Sequence, residues 1–188
     1  MAANLQPRKL REATQVFRHG GLIAYPTEAV YGLGCDPLNG HAVERLLRIK
    51  ARPLEKGVIL IAADFSQLLP FIGKLPDKLL EPVLHSWPGP YTWIFPAAKN
   101  LPRWLTGAQD TLAVRVTNHP LCIALCRSCA SPLVSTSANP GGRRPARSAL
   151  AVRRYFKDEL DCILHGDLGG QSRPTRIRNA LDGQVLRA

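Results

Sequence analysis

Apolar positions along the chain alternate between two periods. Residues 8–19 place Leu10, Ala13, Val16 and Phe17 on one helical face, and Gly20-Gly21 ends the run. GLIAY (21–25) is a short apolar run of strand length. Residues 40–51 return to helical spacing with Ala42, Val43, Leu46, Leu47 and Ile49, and Asn39 stands where an N-cap belongs. VILIAA (58–63) reads as a buried strand, and Asp64 as the cap of a short helix. Pro76 opens the helical stretch LPDKLLEPVLHSW. YTWIFPA and TLAVRVT read as strands. Asn118 and Pro120 open a helix carrying three of the cysteines. PLVSTSA is a further strand, stopped by Asn139-Pro140-Gly141-Gly142. SALAVRRYF is helical, and DCILHG, PTRIRN and QVLRA are strand candidates, the last two flanking Asp182-Gly183.

Interleaved helix-period and strand-period segments predict an α/β, or mixed α+β, layered domain around one central sheet. The 188 residues are expected to form a single domain, 1–188. No stretch approaches the roughly 18 apolar residues of a spanning helix, so no membrane segment is expected. The start MAANLQPRKL lacks the apolar core of a secretory signal. The five cysteines, Cys35, Cys122, Cys126, Cys129 and Cys162, are an odd number without an export signal. They read as reduced thiols in a cytoplasm. Cys122, Cys126 and Cys129 lack a fourth ligand at zinc-like spacing, so no metal site is expected.

Charge changes the picture. Lys+Arg total 25 against 14 Asp+Glu, a net charge of +11. The excess is +3 over residues 1–94 and +8 over residues 95–188, and arginine outnumbers lysine 18 to 7. A guanidinium offers a planar fork of donors, so this bias points to phosphate partners, either nucleic acid or a polyphosphate nucleotide.

The familiar phosphate loops GxxxxGK[ST] and GxGxxG are absent, as are GxSxG and HExxH. Other segments carry candidate chemistry. YPTEAVYGLG (25–34) offers Thr27, Glu28 and Tyr31 to a small polar ligand. On local grounds it reads first as a strand-to-helix turn, with Thr27 as N-cap and Glu28 in the first turn. In KARP (50–53) an extended backbone would aim Lys50 and Arg52 the same way, suited to a phosphate. The other reading is two solvated bases at a helix end. Arg115, in the apolar strand AVRV, needs a partner. A bound carboxylate and an internal acid such as Glu28 both qualify. Ser135, Ser137 and Asn139 gather at the C-terminal end of a strand, where open α/β sheets bind ligands, or where an Asx turn opens a loop. Arg143, Arg144, Arg147, Arg153, Arg154, Arg173, Arg176 and Arg178 form a solvated basic face or a backbone-type RNA contact.

Taken in order, YPTEAVYGLG, KARP, AVRV, STSANPGGR and GQSRPTRIR resemble the YrdC-type threonylcarbamoyl-AMP synthase family, in its bacterial single-domain form, over roughly residues 8–187. The resemblance implies a twisted open mixed sheet flanked by helices, with a basic concave cavity. It implies a nucleotidyltransferase that converts ATP, L-threonine and bicarbonate into threonylcarbamoyl-adenylate and pyrophosphate, with Mg²⁺ accompanying ATP. The product serves threonylcarbamoyladenosine synthesis on tRNA, the transfer being made by partner proteins in the cytoplasm.

It also implies residue roles. Lys50 and Arg52 match the KxR pair at the phosphates, and Ser137 and Asn139 the SxN pair at the nucleotide. Thr111 and Arg187 match further nucleotide positions. Thr27, Tyr31, Arg115, Ser135 and Thr175 match the threonine side. Longer relatives carry a His in the strand after KxRP; here the residues around Ile61 are apolar. The competing function is a non-catalytic RNA-binding or ribosome-assembly module, which accounts for the arginines but not for YPTEAVYG and STSAN.

Overall fold

A computed structural model describes residues 7–173 and 175–187. The expected boundaries at Pro174 and Ala188, and the first six residues, lie outside the described residues.

Of the six helices among the described residues, five form where the apolar period runs at helical spacing, and α4 is a single turn that the pattern does not mark. α1 (Pro7–Arg18) buries Ala13, Thr14 and Phe17. α2 (Gly40–Ile49) starts at Asn39, whose side chain accepts from the Ala42 N–H at 3.1 Å. α3 spans Asp77–His85, α4 Arg103–Thr106, α5 Pro120–Cys129 and α6 Ala149–Phe156. Ser148 caps α6 by accepting from the Ala151 N–H. Such a side-chain acceptor satisfies one of the donors that every helix start leaves open.

The strands are β1 (Ile23–Pro26), β2 (Tyr31–Gly34), β3 (Ile59–Ala62), β4 (Tyr91–Pro96), β5 (Thr111–Val116), β6 (Leu133–Ser137), β7 (Cys162–Ile163), β8 (Arg176–Asn179) and β9 (Val185–Arg187). They form one mixed sheet in the order β7-β1-β2-β6-β3-β5-β4-β8-β9. β1–β7, β3–β5 and β4–β8 are parallel pairs.

One expectation fails here. No helix follows Thr27; β1 and β2 form a tight hairpin, with Tyr25 opposite Gly32. The glycines explain both the fold and the misreading. A Cβ on Gly32 would stand 3.1 Å from the Tyr25 ring, and one on Gly34 would meet the Val134 carbonyl oxygen at 2.4 Å. Bare backbone lets the sheet close under Tyr25, but it also erases the side-chain alternation that marks a strand.

Alternation sorts the remaining strand residues onto two faces. Leu60 and Ala62, Leu112, Val114 and Val116, and Val134 face a large core. It is roofed by Val43 and Leu46 of α2, Val83 of α3 and Val152 and Phe156 of α6. The opposite face is divided. Ile23, Tyr25, Ile61 and Leu133 are covered by Ala13 and Phe17 of α1 and by Leu121, Cys122, Leu125 and Cys126 of α5. One step along the same strands, Ile59, Ser135 and Ala113 have no helix above them and floor a cavity.

The five cysteines are all buried and unbridged. Burial pushes the Cys162 thiol up to about 11 and the Cys129 thiol up to about 12. They are protonated small core residues. No cluster of three His, Cys, Asp or Glu suited to a metal occurs among the described residues.

Candidate active site

The cavity encloses about 450 Å³ on the uncovered half of the sheet. Its polar lining comes from Thr27 and Tyr31 of the β1–β2 hairpin, Arg52 and Lys56 after α2, and Thr92 of β4. Arg115 of β5, Ser135, Thr136 and Ser137 of β6, Thr175 before β8, and Arg187 of β9 complete it. Strands distant in sequence thus meet over one floor. Among the described residues, four cations, Arg52, Lys56, Arg115 and Arg187, line it and no carboxylate does. Clustered cations without acids raise the local concentration of an anionic ligand.

On the hairpin, Thr27 Oγ1 donates to the Val30 carbonyl at 2.7 Å and closes the turn. Tyr31 Oη donates to the Gly166 carbonyl at 3.0 Å. Arg115 is 6% exposed and meets Glu28 at 3.2 Å, between Nη2 and Oε2. Of the two partners anticipated for Arg115, the structure contains the internal acid. Burial alone would raise the Glu28 carboxyl, but Arg115 and the 2.6 Å bond donated by Thr117 outweigh it and hold it below the usual carboxylate range. The Arg115 Nε–H is buried and has no hydrogen-bond partner.

After α2 the two bases part company. Ala51 takes a φ of 49°, in the left-handed region, so the segment is not the extended ribbon that would aim Lys50 and Arg52 alike. Arg52 reaches the lining. Its Nε and Nη2 also donate to the Gly57 carbonyl at 3.1 and 3.0 Å, which folds the Leu54–Lys56 turn against it. Lys50 turns inward instead. Its ammonium donates to the carbonyls of Ser137 and of Asn139, the latter at 2.8 Å. Burial, and then the neighbouring Arg52 charge, lowers Lys50 to about 8.

Asn139 is likewise used locally. Its side chain accepts from Ser137 Oγ at 2.6 Å and donates to the Arg143 carbonyl at 2.8 Å, shaping the glycine loop. Arg187 donates to the Thr175 carbonyl at 2.8 Å, and Thr175 Oγ1 lies 3.1 Å from Thr92 Oγ1. Burial lowers the Arg187 pKa, and the charge on Arg115 lowers it further.

Of the residues anticipated from sequence, Thr27, Tyr31, Arg52, Arg115, Ser135, Ser137, Thr175 and Arg187 line the cavity. Lys50, Asn139 and Thr111 do not. Lys50 and Asn139 hold the rim from behind. Thr111 starts β5, one strand repeat beyond Ala113 on the same face. Sequence reasoning missed Lys56 and Thr92. Lys56 follows KARP as an ordinary surface base, and only the turn back to Gly57 brings it over the floor. Thr92 lies in an apolar strand, YTWIFP, where alternation alone marks it as facing the cavity side.

The sequence and the fold match a known family. Residues 15–188 match the model of the Sua5/YciO/YrdC family, whose description reads "Telomere recombination". The chain belongs to the Sua5/YciO/YrdC family. It is 53% identical over 182 residues to a threonylcarbamoyl-AMP synthase of Halorhodospira halophila, covering 97% of this chain and 95% of the relative. Among solved structures, Sua5 of P. abyssi complexed with L-threonine superposes with a TM-score of 0.87 at 32% identity, over 97% of this chain and 54% of that one. The chain therefore spans about half the length of that Sua5. YciO of E. coli superposes with a TM-score of 0.86 at 29% identity, over 98% of this chain and 90% of that one. The expected α/β fold, a mixed open sheet flanked by helices, is the fold of these neighbours.

Proposed function

We propose that this chain is a threonylcarbamoyl-AMP synthase, forming L-threonylcarbamoyl-adenylate and pyrophosphate from ATP, L-threonine and bicarbonate. The observation that carries the reading is the lining itself: among the described residues, four cations, a row of hydroxyls and no carboxylate around one cavity.

The amine of threonine attacks the carbon of bicarbonate. A C–N bond forms, water leaves, and a carbamate results. A carbamate oxygen then attacks the α-phosphorus of ATP, and the bond to the β-phosphate oxygen breaks to release pyrophosphate. No protein nucleophile is required, in keeping with five protonated, buried thiols. Charge grows on the phosphate oxygens during the second step, and Arg52, Lys56 and Arg187 stand ready to offset it. Arg115 holds the threonine carboxylate through its unpaired donors, a charge-assisted contact. Thr27 and Ser135 flank the same side. Lys50 and Asn139 set the position of Ser137. Mg²⁺ would accompany ATP, held by the phosphates rather than by protein carboxylates, since none lines the cavity among the described residues, and it would help offset phosphate charge. Holding three small reactants in register supplies up to about 7–11 kcal/mol of the barrier.

The adenylate is the activated donor for threonylcarbamoyladenosine on tRNA, handed to partner proteins in the cytoplasm. The exposed Arg143, Arg144, Arg147, Arg153 and Arg154 are not themselves lining residues, although Arg144 adjoins the lining Pro145, and they offer a surface to tRNA or to those partners. No helix among the described residues is long and apolar enough to cross a membrane.

The test is a product assay with labelled bicarbonate. Pyrophosphate should appear only when threonine and bicarbonate are both present. ATP cleavage indifferent to threonine, or RNA binding alone with a steep salt dependence, would exclude the synthase reading.

A further inference from the structure

Glu28 does not line the cavity, yet it joins two of its walls. It sits in the β1–β2 turn next to Thr27, and its side chain is 2% exposed. The two residues it meets are Arg115, near the end of β5, and Thr117, just beyond it. Its Oε1 accepts the Thr117 hydroxyl at 2.6 Å, and its Oε2 faces Arg115 Nη2 at 3.2 Å. In the sheet, β5 is separated from the hairpin by β6 and β3. The hairpin tip therefore crosses the sheet, and a single carboxylate fastens it to β5.

The network continues outward. The Thr117 hydroxyl accepts from the His119 N–H at 3.1 Å, and His119 Nε2 lies 3.0 Å from the Asp167 carbonyl. The chain after β7 is tied to the same tip, with Gly169 N donating to the Thr27 carbonyl and Gln171 N to the Glu28 carbonyl. Thus the Glu28 backbone is fixed, and its side chain has little freedom.

We infer that Glu28 is a positioning residue: a strut that sets the distance between Thr27 and Arg115, the two groups that take opposite ends of the amino-acid substrate. This rests on the synthase reading above. Three observations support it. A guanidinium buried in an apolar strand without a counter-ion would be costly, and Glu28 supplies that counter-ion at 3.2 Å. Glu28 Oε2 pairs with Arg115 Nη2 by charge but without a hydrogen bond, and the Arg115 Nε–H, a buried donor on a cavity-lining residue, has no partner either. A carboxylate entering the cavity would satisfy that donor. The link from Glu28 to Thr117 then prevents Arg115 from following the incoming carboxylate out of register with Thr27.

The experiment compares Glu28→Gln and Thr117→Val with the unmodified full chain, by pyrophosphate release at varied threonine and varied ATP. Gln keeps the size of Glu28 and removes its charge. Val keeps the shape of Thr117 and removes the hydroxyl. The KM for threonine should rise about tenfold in Glu28→Gln, which removes the charge facing Arg115, and about threefold in Thr117→Val, which removes one hydrogen bond to the carboxylate. The KM for ATP should stay within about twofold. Preference for threonine over serine should shrink in both. A general loosening of the fold would instead shift both KM values together. An unchanged or lower KM for threonine in both variants overturns the strut. If Glu28→Gln does not fold, Thr117→Val decides alone, and normal threonine kinetics there overturns the strut. If the unmodified chain releases pyrophosphate without threonine, the synthase reading fails, and a threonine titration followed by tryptophan fluorescence tests the strut independently. Equal threonine affinity in the three proteins then overturns it.

Discussion

One face of the sheet carries two different surfaces, a few ångströms apart on the same strands. On β3, Ile61 is covered by α5 while Ile59 floors the cavity; on β6, Leu133 is covered and Ser135 is open. The covered half is apolar, packed beneath α1 and α5, and holds the molecule together. The open half has the same backbone, but there Ile59, Ile94 and Ile177 share the lining with hydroxyl and cationic side chains, and no helix covers it. A sheet face must be covered or solvated. Here the uncovered portion is solvated by residues that suit an anion, so the site exists because the roof stops short.

The largest expected effect breaks the covered half. Leu125, fully buried on α5, packs over it. Leu125→Ala should lower stability by about 2–5 kcal/mol, read as a shift in the urea midpoint. A change under about 1 kcal/mol would show that α5 is not a structural roof.

Arg52→Ala attacks the open half. Adenylate formation should fall by about 10²-fold, the scale of losing one preorganised donor to developing charge. The urea midpoint should move less than in Leu125→Ala, although two bonds to the Gly57 carbonyl are lost. Activity within threefold of normal would remove Arg52 from the phosphate site.

Filling the open half makes a subtler contrast. Ala113→Leu should raise the KM for ATP about tenfold, the scale of one or two methylenes in a fitted pocket. Stability should stay within about 1.5 kcal/mol, because the added volume enters a cavity rather than a packed core. Severe destabilisation would mean that the floor is as tightly packed as the covered half.

Within the roof, Thr14 Oγ1 and Ser128 Oγ lie 2.7 Å apart and join α1 to α5. Ser128→Ala should destabilise by about 1 kcal/mol with unchanged kinetics.

The smallest expected effect is linked to protons. The Glu28 carboxyl is held below its ordinary 4.5, so the folded state binds that proton less readily than the unfolded chain. Its stabilisation is complete above the unfolded value and is lost as pH falls through the folded one. The difference in Tm between the unmodified protein and Glu28→Gln should therefore narrow as pH drops below about 4.5. A difference that is constant across that range would mean that Glu28 gains nothing from its charge.

Sequence alone determined the order and kind of nearly every element, because helical and strand periods are local signals. It also carried the segments that chemistry uses, since YPTEAVYGLG, KARP and STSANPGG stand out by residue type. It hid β2, where glycines at 32 and 34 leave no alternation to read. What only the tertiary structure decided is which of those side chains meet. A single left-handed residue, Ala51, sends Lys50 to the carbonyls behind the rim and leaves Arg52 in the lining. Lys56 enters the site through a turn, without a motif. Glu28 and Arg115, 87 positions apart, meet only because the sheet order brings the hairpin tip over β5. Side-chain direction depends on individual dihedrals, and contact on the register of non-adjacent strands. Neither is written in the local pattern of residues.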